Sequence, residues 1–162
     1  MNCLDNSDIR RRDRLLNEDD AAKLLKEGEY GFLSMVEREN SAYGVPISYV
    51  WDGAEHIFMH CATTGHKLDC LKICPDVSFC VVGPTRILPV KFTTAYTSVL
   101  VRGRICCNLN DEEKTAAMQL LLEKYAPEEM DRGLKHVADI LQRVEVLRLD
   151  ILKISGKQRT EN

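Results

Sequence analysis

The sequence predicts a mainly β protein in which an antiparallel barrel is flanked by helices. Three observations support this fold class. Short runs rich in β-branched and aromatic residues recur between Tyr30 and Ile154, as strands require. The pair Asp52-Gly53, a strong hairpin signal, separates two of these runs. Two amphipathic helices lie together between the last two runs, which suits helices packed outside a sheet.

Composition and charge limit the classes of function. The chain has 162 residues, of which 44% are apolar and 29% charged, as expected for one globular domain. Its net charge of −3 provides no overall positive field for nucleic acid, and we interpret the basic cluster Arg10–Arg14 as solvated rather than as an RNA or membrane contact. We divide the chain into a flexible N-terminal arm (1–9), one domain (10–157) and a tail (158–162).

The apolar runs and the N-terminus predict the cellular location of the protein. No run reaches the roughly 18 apolar residues that cross a bilayer. The N-terminus has charges where a signal peptide would have its apolar segment. We therefore expect a cytoplasmic protein. Its seven cysteines, an odd number scattered in apolar runs, are interpreted mostly as small apolar residues in a reducing compartment.

Capping and periodicity predict the first elements. Asn17 caps a helix that ends at Gly28, and Ala21, Leu24 and Leu25 are predicted to lie on its buried face. The runs YGFLSMV, AYGVPISYVW and EHIFMHCA are predicted to form an antiparallel meander. Because Pro46 removes a hydrogen-bond donor from the second run, that strand is expected at an edge, at a bulge or facing a ligand.

The remaining elements are predicted in the same way. A short helix runs from His66 to Ile73, and the strand VSFCVVG follows. Residues 84–97 are expected to form a long functional connection before the strand SVLVRGRICCNL. Asn110 caps the next helix and Pro127 opens another, before the final strand VEVLRLDILKI.

The segment HCATTGHKLDCLK, residues 60–72, contains the residue types of three kinds of site. A zinc site would use His66 and Cys70, which share a helix face, but no second ligand pair completes it. A redox site would use Cys61 at the start of the helix, or the vicinal pair Cys106-Cys107. No cysteine stands at C-x-x-C spacing from Cys61, which weakens this second interpretation.

The third kind of site, a phosphate site, accounts for more of these residues. The segment from Ala62 to Gly65 is a tight turn from strand to helix, so that free backbone N–H groups and the positive end of the helix face outwards. His66, Lys67 and two threonine hydroxyls add donors that suit a phosphate dianion. An ordinary capped helix with a solvated Lys67 explains these residues equally well, since no glycine-rich phosphate motif is present.

The order of the motifs resembles the FMN-binding split-barrel family, in the branch of pyridoxamine 5′-phosphate oxidase-like and nitroimidazole-resistance proteins. The similar segments, from about Arg10 to Lys157, are GFLSMV, YGVPISYVW, FMHCATTGHKLDCLKICPDVSF, FTTAYTSVLVRGR and ISGK. The resemblance implies a six-stranded antiparallel split β-barrel. It also implies a homodimer, with one FMN in each of two grooves between the subunits.

The same resemblance implies which residues bind the cofactor. The expected set is Pro46, Ile47 and Ser48 at the isoalloxazine edge; His60, Cys61 and Ala62 beside the ring and ribityl chain; Gly65, His66 and Lys67 at the phosphate; and Thr93, Thr94, Tyr96 and Ser98 from the partner subunit. His60, the catalytic candidate, and His66 could donate protons to a reduced acceptor, while a structural contact is the commoner role of a residue like His60; no metal is expected. Pyridoxamine-phosphate oxidases end in an arginine-containing segment that binds substrate phosphate, and the segment ISGKQRTEN departs from that pattern.

Two functions are compatible with these residues. The leading hypothesis is an FMN-dependent oxidoreductase that reduces small aromatic or nitro-type acceptors, since the flavin itself carries the electron chemistry. The alternative is a carrier, store or sensor that binds a flavin, heme or deazaflavin without turnover. The sequence names neither the substrate nor the electron donor.

Overall fold

The computed structural model describes residues 3–161, which form one antiparallel sheet flanked by helices. Over this range the strands are β1 (Tyr30–Val36), β2 (Ala42–Ser48), β3 (Val50–Trp51), β4 (His56–Ala62), β5 (Asp76–Val82), β6 (Arg86–Leu88), β7 (Thr93–Cys106) and β8 (Val144–Arg159). The α-helices in the same range are α1 (Glu18–Glu27), α2 (His66–Ile73), α3 (Asp111–Tyr125) and α4 (Met130–Ile140). None of the helices described is both long and apolar enough to cross a bilayer.

The strand order confirms a mainly antiparallel β fold with flanking helices. The order is β2-β1-β5-β7-β8-β4-β3, and β6 pairs with β7. The described residues form eight strands rather than the predicted six, because the short β3 and β6 add to the sheet. The sheet is also not closed: β2 and β4 approach each other, but no ladder joins them within residues 3–161. Pro46, which has no N–H to donate, lies in the edge strand β2, as predicted.

The predicted three-strand meander is wrong at Tyr49. Instead of one strand over residues 42–51, β2 pairs with β1 while β3 pairs with β4 across the Asp52-Gly53 turn. The backbone amide of Tyr49 donates to the hydroxyl of Tyr125 at 2.9 Å rather than to a neighbouring strand. Its own hydroxyl donates to the carbonyl of Leu25 at 2.8 Å, inside the core. These contacts end β2 and direct the chain to the other end of the sheet.

The predicted long connection at residues 84–97 is wrong from Thr93 onwards. Residues Thr93–Ala95 pair with β6, and Tyr96–Ser98 pair with the end of β8, so β7 begins five residues earlier than the apolar pattern predicts. The threonines of this segment suit a strand because β-branched side chains pack well on a pleated surface. What remains of the connection is β6 and a short 3₁₀ turn at Pro89–Lys91.

Two apolar cores hold the sheet and helices together. The first lies inside the curved sheet, where Leu33, Phe79 and Leu147 are fully buried and α1 and α2 cover it. The second lies on the outer face of β3, β4 and β8, where Met118 and Val137 of α3 and α4 pack. The predicted caps are present: the side chains of Asn17 and Asn110 accept hydrogen bonds from backbone amides three residues later, at 2.8 and 2.9 Å.

One face of the sheet keeps large apolar side chains exposed. On β1 and β5, Tyr30, Phe32 and Val82 are 61%, 46% and 58% exposed, and we refer to these three residues as the apolar face. The connection between β5 and β7 adds Val90 and Phe92, which are more than nine-tenths exposed. Large exposed apolar patches usually mark contacts with another molecule.

The N-terminal segment contacts the last strand. Leu4 forms an isolated bridge with Ile154, and the ammonium of Lys153 lies 3.0 and 2.9 Å from the carboxylates of Asp5 and Asp8. In the basic cluster Arg10–Arg14, Arg11 pairs with the neighbouring Asp13 at 2.6 Å. The cluster's positive charge is therefore partly neutralised within the chain. The domain boundaries drawn from the sequence remain predictions.

Candidate functional site

The turn between β4 and α2 presents free backbone donors. Gly65, the N-cap of α2, has φ 138° and ψ 166°, a conformation that residues with a side chain rarely adopt. A Cβ built at Gly65 meets no heavy atom within 4 Å, so the turn is open. Within residues 3–161, no protein acceptor binds the amides of Thr63 and Thr64, and the first amides of a helix have no partner inside it. This end of α2 is therefore suited to an anion.

Lys67 adds a positive charge beside this turn. No carboxylate in the described part of the chain pairs with Lys67, whereas Lys72 on the same helix pairs with Asp69 at 3.1 Å. Desolvation, and to a smaller extent the charge of Lys67, lower the pKa of His60. Burial raises the pKa of Cys61, while the Lys67 charge opposes that rise. The charge of Lys67 therefore lowers the pKa of both side chains at the end of β4, His60 and Cys61.

The side chain of His66 is engaged by the hairpin of β1 and β2. Its Nε2 lies 2.7 Å from Oε2 of Glu37, immediately after β1, and 3.7 Å from Sγ of Cys70. Its ring packs edge-on against Tyr43, with the ring centroids 4.5 Å apart. The backbone amide of His66 thus faces the turn, while its imidazole belongs to a second cluster of polar side chains.

The three predicted residues of β2 divide between two surfaces. Ile47 packs against the first core, and Pro46 and Ser48 are exposed on the outer side of the edge strand. Ser48 borders a groove of about 580 Å³ that lies between α1, β2 and α3, and its other lining residues are Lys26, Glu27, Glu29, Tyr30, Lys124 and Tyr125.

Lys124 in this groove is a residue that the sequence analysis missed. Its Nζ is buried without a hydrogen-bond partner and lies 3.8 Å from the centroid of the Tyr49 ring. Desolvation lowers its pKa to about 8. A lysine in the last turn of a helix is usually solvated, and no local signal shows that Tyr49, between β2 and β3, covers it. Nearby, the hydroxyl of Tyr125 donates to the carbonyl of Glu29 at 2.5 Å.

The structure does not bring all the predicted site residues together within one chain. His60, Cys61, Ala62, Gly65 and Lys67 meet around the turn, where Ala62 pairs with Val144 at the start of β8. Ser98 pairs with Lys157 near the other end of β8. These two positions on β8 are thirteen residues apart, which is about 40 Å of strand. Tyr96 pairs with Arg159, two residues farther along β8, and Thr93 and Thr94 pair with β6, so the sheet register separates this group from the turn within one chain.

These features define a small antiparallel β domain with an open turn at a strand-to-helix junction, where backbone amides lack protein acceptors within residues 3–161. A sequence model described as pyridoxamine 5′-phosphate oxidase matches residues 17–158, which is most of the chain. The protein belongs to this family, and the family resemblance predicted from the motifs is confirmed. A comparison with curated proteins gave no match.

Several solved structures share the fold. A structure described as a 5-nitroimidazole antibiotic resistance protein of Bacteroides thetaiotaomicron has a TM-score of 0.74 at 15% identity, covering 90% of this chain and 86% of that one. An FAD- and heme-binding protein of Mycobacterium smegmatis gives 0.74 at 16% identity, with 92% and 74% covered. An FAD-binding protein of Mesorhizobium loti gives 0.60 at 20% identity, with 91% and 98% covered. At these identities the shared property is the fold.

Proposed function

We propose that the protein is a flavoprotein that binds FMN and acts as an oxidoreductase on small aromatic or nitro-type acceptors. The observation that carries this proposal is the turn before α2, where free amides and the unpaired ammonium of Lys67 suit a phosphate dianion. Membership of the family and the flavin-binding proteins of the same fold support it. A bound flavin would supply the redox chemistry, and the protein would orient it.

The proposal includes a homodimer in which both subunits contact each flavin. Two observations support this arrangement. Tyr96 and Ser98 pair with the far end of β8, away from the turn in the same chain, whereas the partner's Ser98 could approach the turn across a dimer interface. The apolar face formed by Tyr30, Phe32 and Val82 also remains exposed in the single chain. Burying it against a second copy would remove this surface from water.

His60 is the residue that we propose as proton donor. It lies on the exposed side of β4, at the end of the strand next to the turn. Desolvation and, to a smaller extent, the Lys67 charge lower the pKa of His60, so its protonated form gives up a proton more readily than an ordinary imidazolium does. The imidazolium form, once it has taken a proton from solvent, can pass that proton to a substrate that accepts electrons from the flavin, and His60 returns to the neutral imidazole.

The first experiment is the visible spectrum of the purified protein, followed by titration with FMN. Lys67→Ala is expected to weaken FMN binding by about 1–3 kcal/mol, which is roughly 5- to 150-fold, because it removes a charge-assisted hydrogen bond. Lys72→Ala is the matched control, since Lys72 lies on the same helix but pairs with Asp69, and its FMN affinity should not change. An affinity unchanged in Lys67→Ala would place the phosphate elsewhere. Absence of micromolar FMN affinity in the wild type would refute the proposal.

A second candidate function is binding without turnover. It is favoured by the similarity to a protein that binds both FAD and heme. Steady-state oxidation of NAD(P)H with nitroaromatic or quinone acceptors separates the two functions. Rates well above those of free FMN support the oxidoreductase, and rates no faster than free FMN support the carrier, store or sensor.

A further inference from the structure

Three donor atoms of different chemistry meet where α2 packs against the end of β1. They are Oε2 of Glu37, Nε2 of His66 and Sγ of Cys70, which all lie within 4.8 Å of one another. We refer to them as the three-donor cluster. Cys70 is 1% exposed, Glu37 is half-buried and His66 is exposed, so the cluster joins a buried thiol to the surface.

The contacts within the three-donor cluster argue against a proton relay. In a relay of cysteine, histidine and carboxylate, the thiol and the carboxylate bind opposite nitrogens of the imidazole ring. Here both contacts fall on Nε2, with oxygen at 2.7 Å and sulfur at 3.7 Å. Oxygen and sulfur therefore both lie beside the same nitrogen, and three donor atoms this close together can share one metal ion.

We propose that Glu37, His66 and Cys70 bind a divalent transition-metal ion, with zinc as the ion that best suits these donors. Around a tetrahedral ion with bonds of about 2.0–2.3 Å, nitrogen and sulfur lie about 3.6 Å apart and nitrogen and oxygen about 3.3 Å apart. The nitrogen-to-sulfur distance of 3.7 Å already fits this geometry. The carboxylate of Glu37 needs to move by roughly 0.6 Å, exchanging its hydrogen bond for a metal bond. Thiolate and imidazole ligands select zinc over magnesium or calcium.

Neighbouring side chains hold the proposed ligands in place. The hydroxyl of Ser41 donates to the other carboxylate oxygen of Glu37, Oε1, at 2.5 Å. The ring of Tyr43 packs against the ring of His66 and limits its rotation. His66 and Cys70 are four residues apart on α2, so they share a helix face. Outer contacts of this kind orient metal ligands and contribute to metal affinity.

A groove of about 530 Å³ gives access to the three-donor cluster. Three protein ligands leave one tetrahedral position open to water from the groove. The sequence alone identified only the pair His66 and Cys70, because Glu37 lies 29 positions earlier in the chain. The proposal is independent of flavin binding, since it uses the imidazole of His66 and not the turn.

Cobalt(II) is the probe for this site, because thiolate coordination gives it a charge-transfer absorption in the near ultraviolet. The purified full chain, stripped with a chelator and kept reduced, is expected to bind one equivalent of Co²⁺ with this absorption, and Zn²⁺ should displace it. Cys70→Ser should abolish the absorption. Cys74→Ser and His136→Asn, which alter a thiol and an imidazole outside the cluster, are the matched controls and should retain it.

Because Cys70 is buried, Cys70→Ser can also disturb folding. Two variants nearer the surface therefore test the same site without changing the core. Glu37→Gln and Ser41→Ala should each weaken Co²⁺ binding by at least about tenfold, the loss typical of ligands and their outer contacts. No charge-transfer absorption in the wild type, or absorption that survives in all three variants, overturns the proposal. Lys67→Ala should leave Co²⁺ affinity unchanged, and Glu37→Gln should leave FMN affinity unchanged, so the metal and flavin proposals fail separately.

Discussion

Replacing Lys124 with methionine is expected to stabilise the protein at neutral pH. The ammonium of Lys124 is buried without a hydrogen-bond partner, and its closest favourable contact is the face of the Tyr49 ring at 3.8 Å. Desolvation of the charge lowers its pKa from 10.5 to about 8. Methionine keeps an unbranched apolar side chain in the same space and removes the charge.

The size of the effect follows from opposing contributions. A pKa lowered this far corresponds to about 3 kcal/mol of desolvation, at about 1.4 kcal/mol for each tenfold change in proton affinity. Two contributions reduce this figure: solvent screens the partly exposed side chain, and the contact with Tyr49 returns about 1–2 kcal/mol through a cation–π interaction. We therefore expect Lys124→Met to raise the free energy of unfolding by about 1–2 kcal/mol at pH 7.

The gain should depend on pH in a defined direction. Below pH 8 the lysine is protonated in both the folded and the unfolded protein, so the folded wild type carries the whole cost of the buried charge. Between about pH 8 and pH 10.5 the folded protein loses this proton first, so the unfolded state binds more protons and the stability of the wild type rises with pH. The advantage of Lys124→Met is therefore largest below pH 8 and shrinks above it.

Denaturant unfolding at pH 7 and at about pH 9.5, with reductant present, measures this difference. Lys26→Met is the control, because Lys26 lines the same groove but is exposed, and it should change stability by less than about 0.5 kcal/mol. A Lys124→Met variant that is less stable than the wild type at pH 7 would refute the reasoning. A stability gain that is the same at both pH values would also refute it.

Two further predictions concern the sheet. Gly103→Ala would place a Cβ against the backbone oxygen of Asp150 at the bulge between β7 and β8. We expect the free energy of unfolding, measured with denaturant, to fall by about 2–3 kcal/mol. A free energy of unfolding within about 0.5 kcal/mol of the wild type would contradict this prediction. Val82→Asp, on the apolar face, should shift the proposed dimer to a folded monomer in sedimentation experiments, whereas Leu134→Asp on α4 should not. A Val82→Asp protein that dimerises as tightly as the wild type would exclude this face from the interface.

Local signals predicted most of the elements. The caps at Asn17 and Asn110 and the hairpin turn at Asp52-Gly53 each depend on residues within a few positions, and all are confirmed. The break at Tyr49 could not be predicted in this way, because its amide binds the hydroxyl of Tyr125, 76 positions away. A continuous apolar run does not show by itself whether it forms one strand or two, because a residue far away in the sequence can bind its backbone and break it.

The same distinction applies to the candidate site. The open turn at Gly65 was predictable because a strand ends and a helix begins within a few residues. The three-donor cluster was not predictable. Helical periodicity places His66 and Cys70 on one face of α2, but it does not predict that Glu37, which follows β1, lies beside them. Lys124 was missed for the same reason. The residues whose roles depend on distant neighbours are those that only the structure could identify.

The geometry of α2 explains how an anion site and a cation site can lie next to each other. Successive side chains on a helix point about 100° apart, so Lys67 can face the turn while His66 faces Glu37. Leu68 and Leu71 of the same helix are buried in the first core, which fixes the direction of both faces. The carboxylate of Glu37 and the thiolate of Cys70 would together neutralise a divalent ion, so the occupied three-donor cluster would be neutral and would not repel a nearby phosphate. The two proposed sites therefore need not compete for the charge of Lys67.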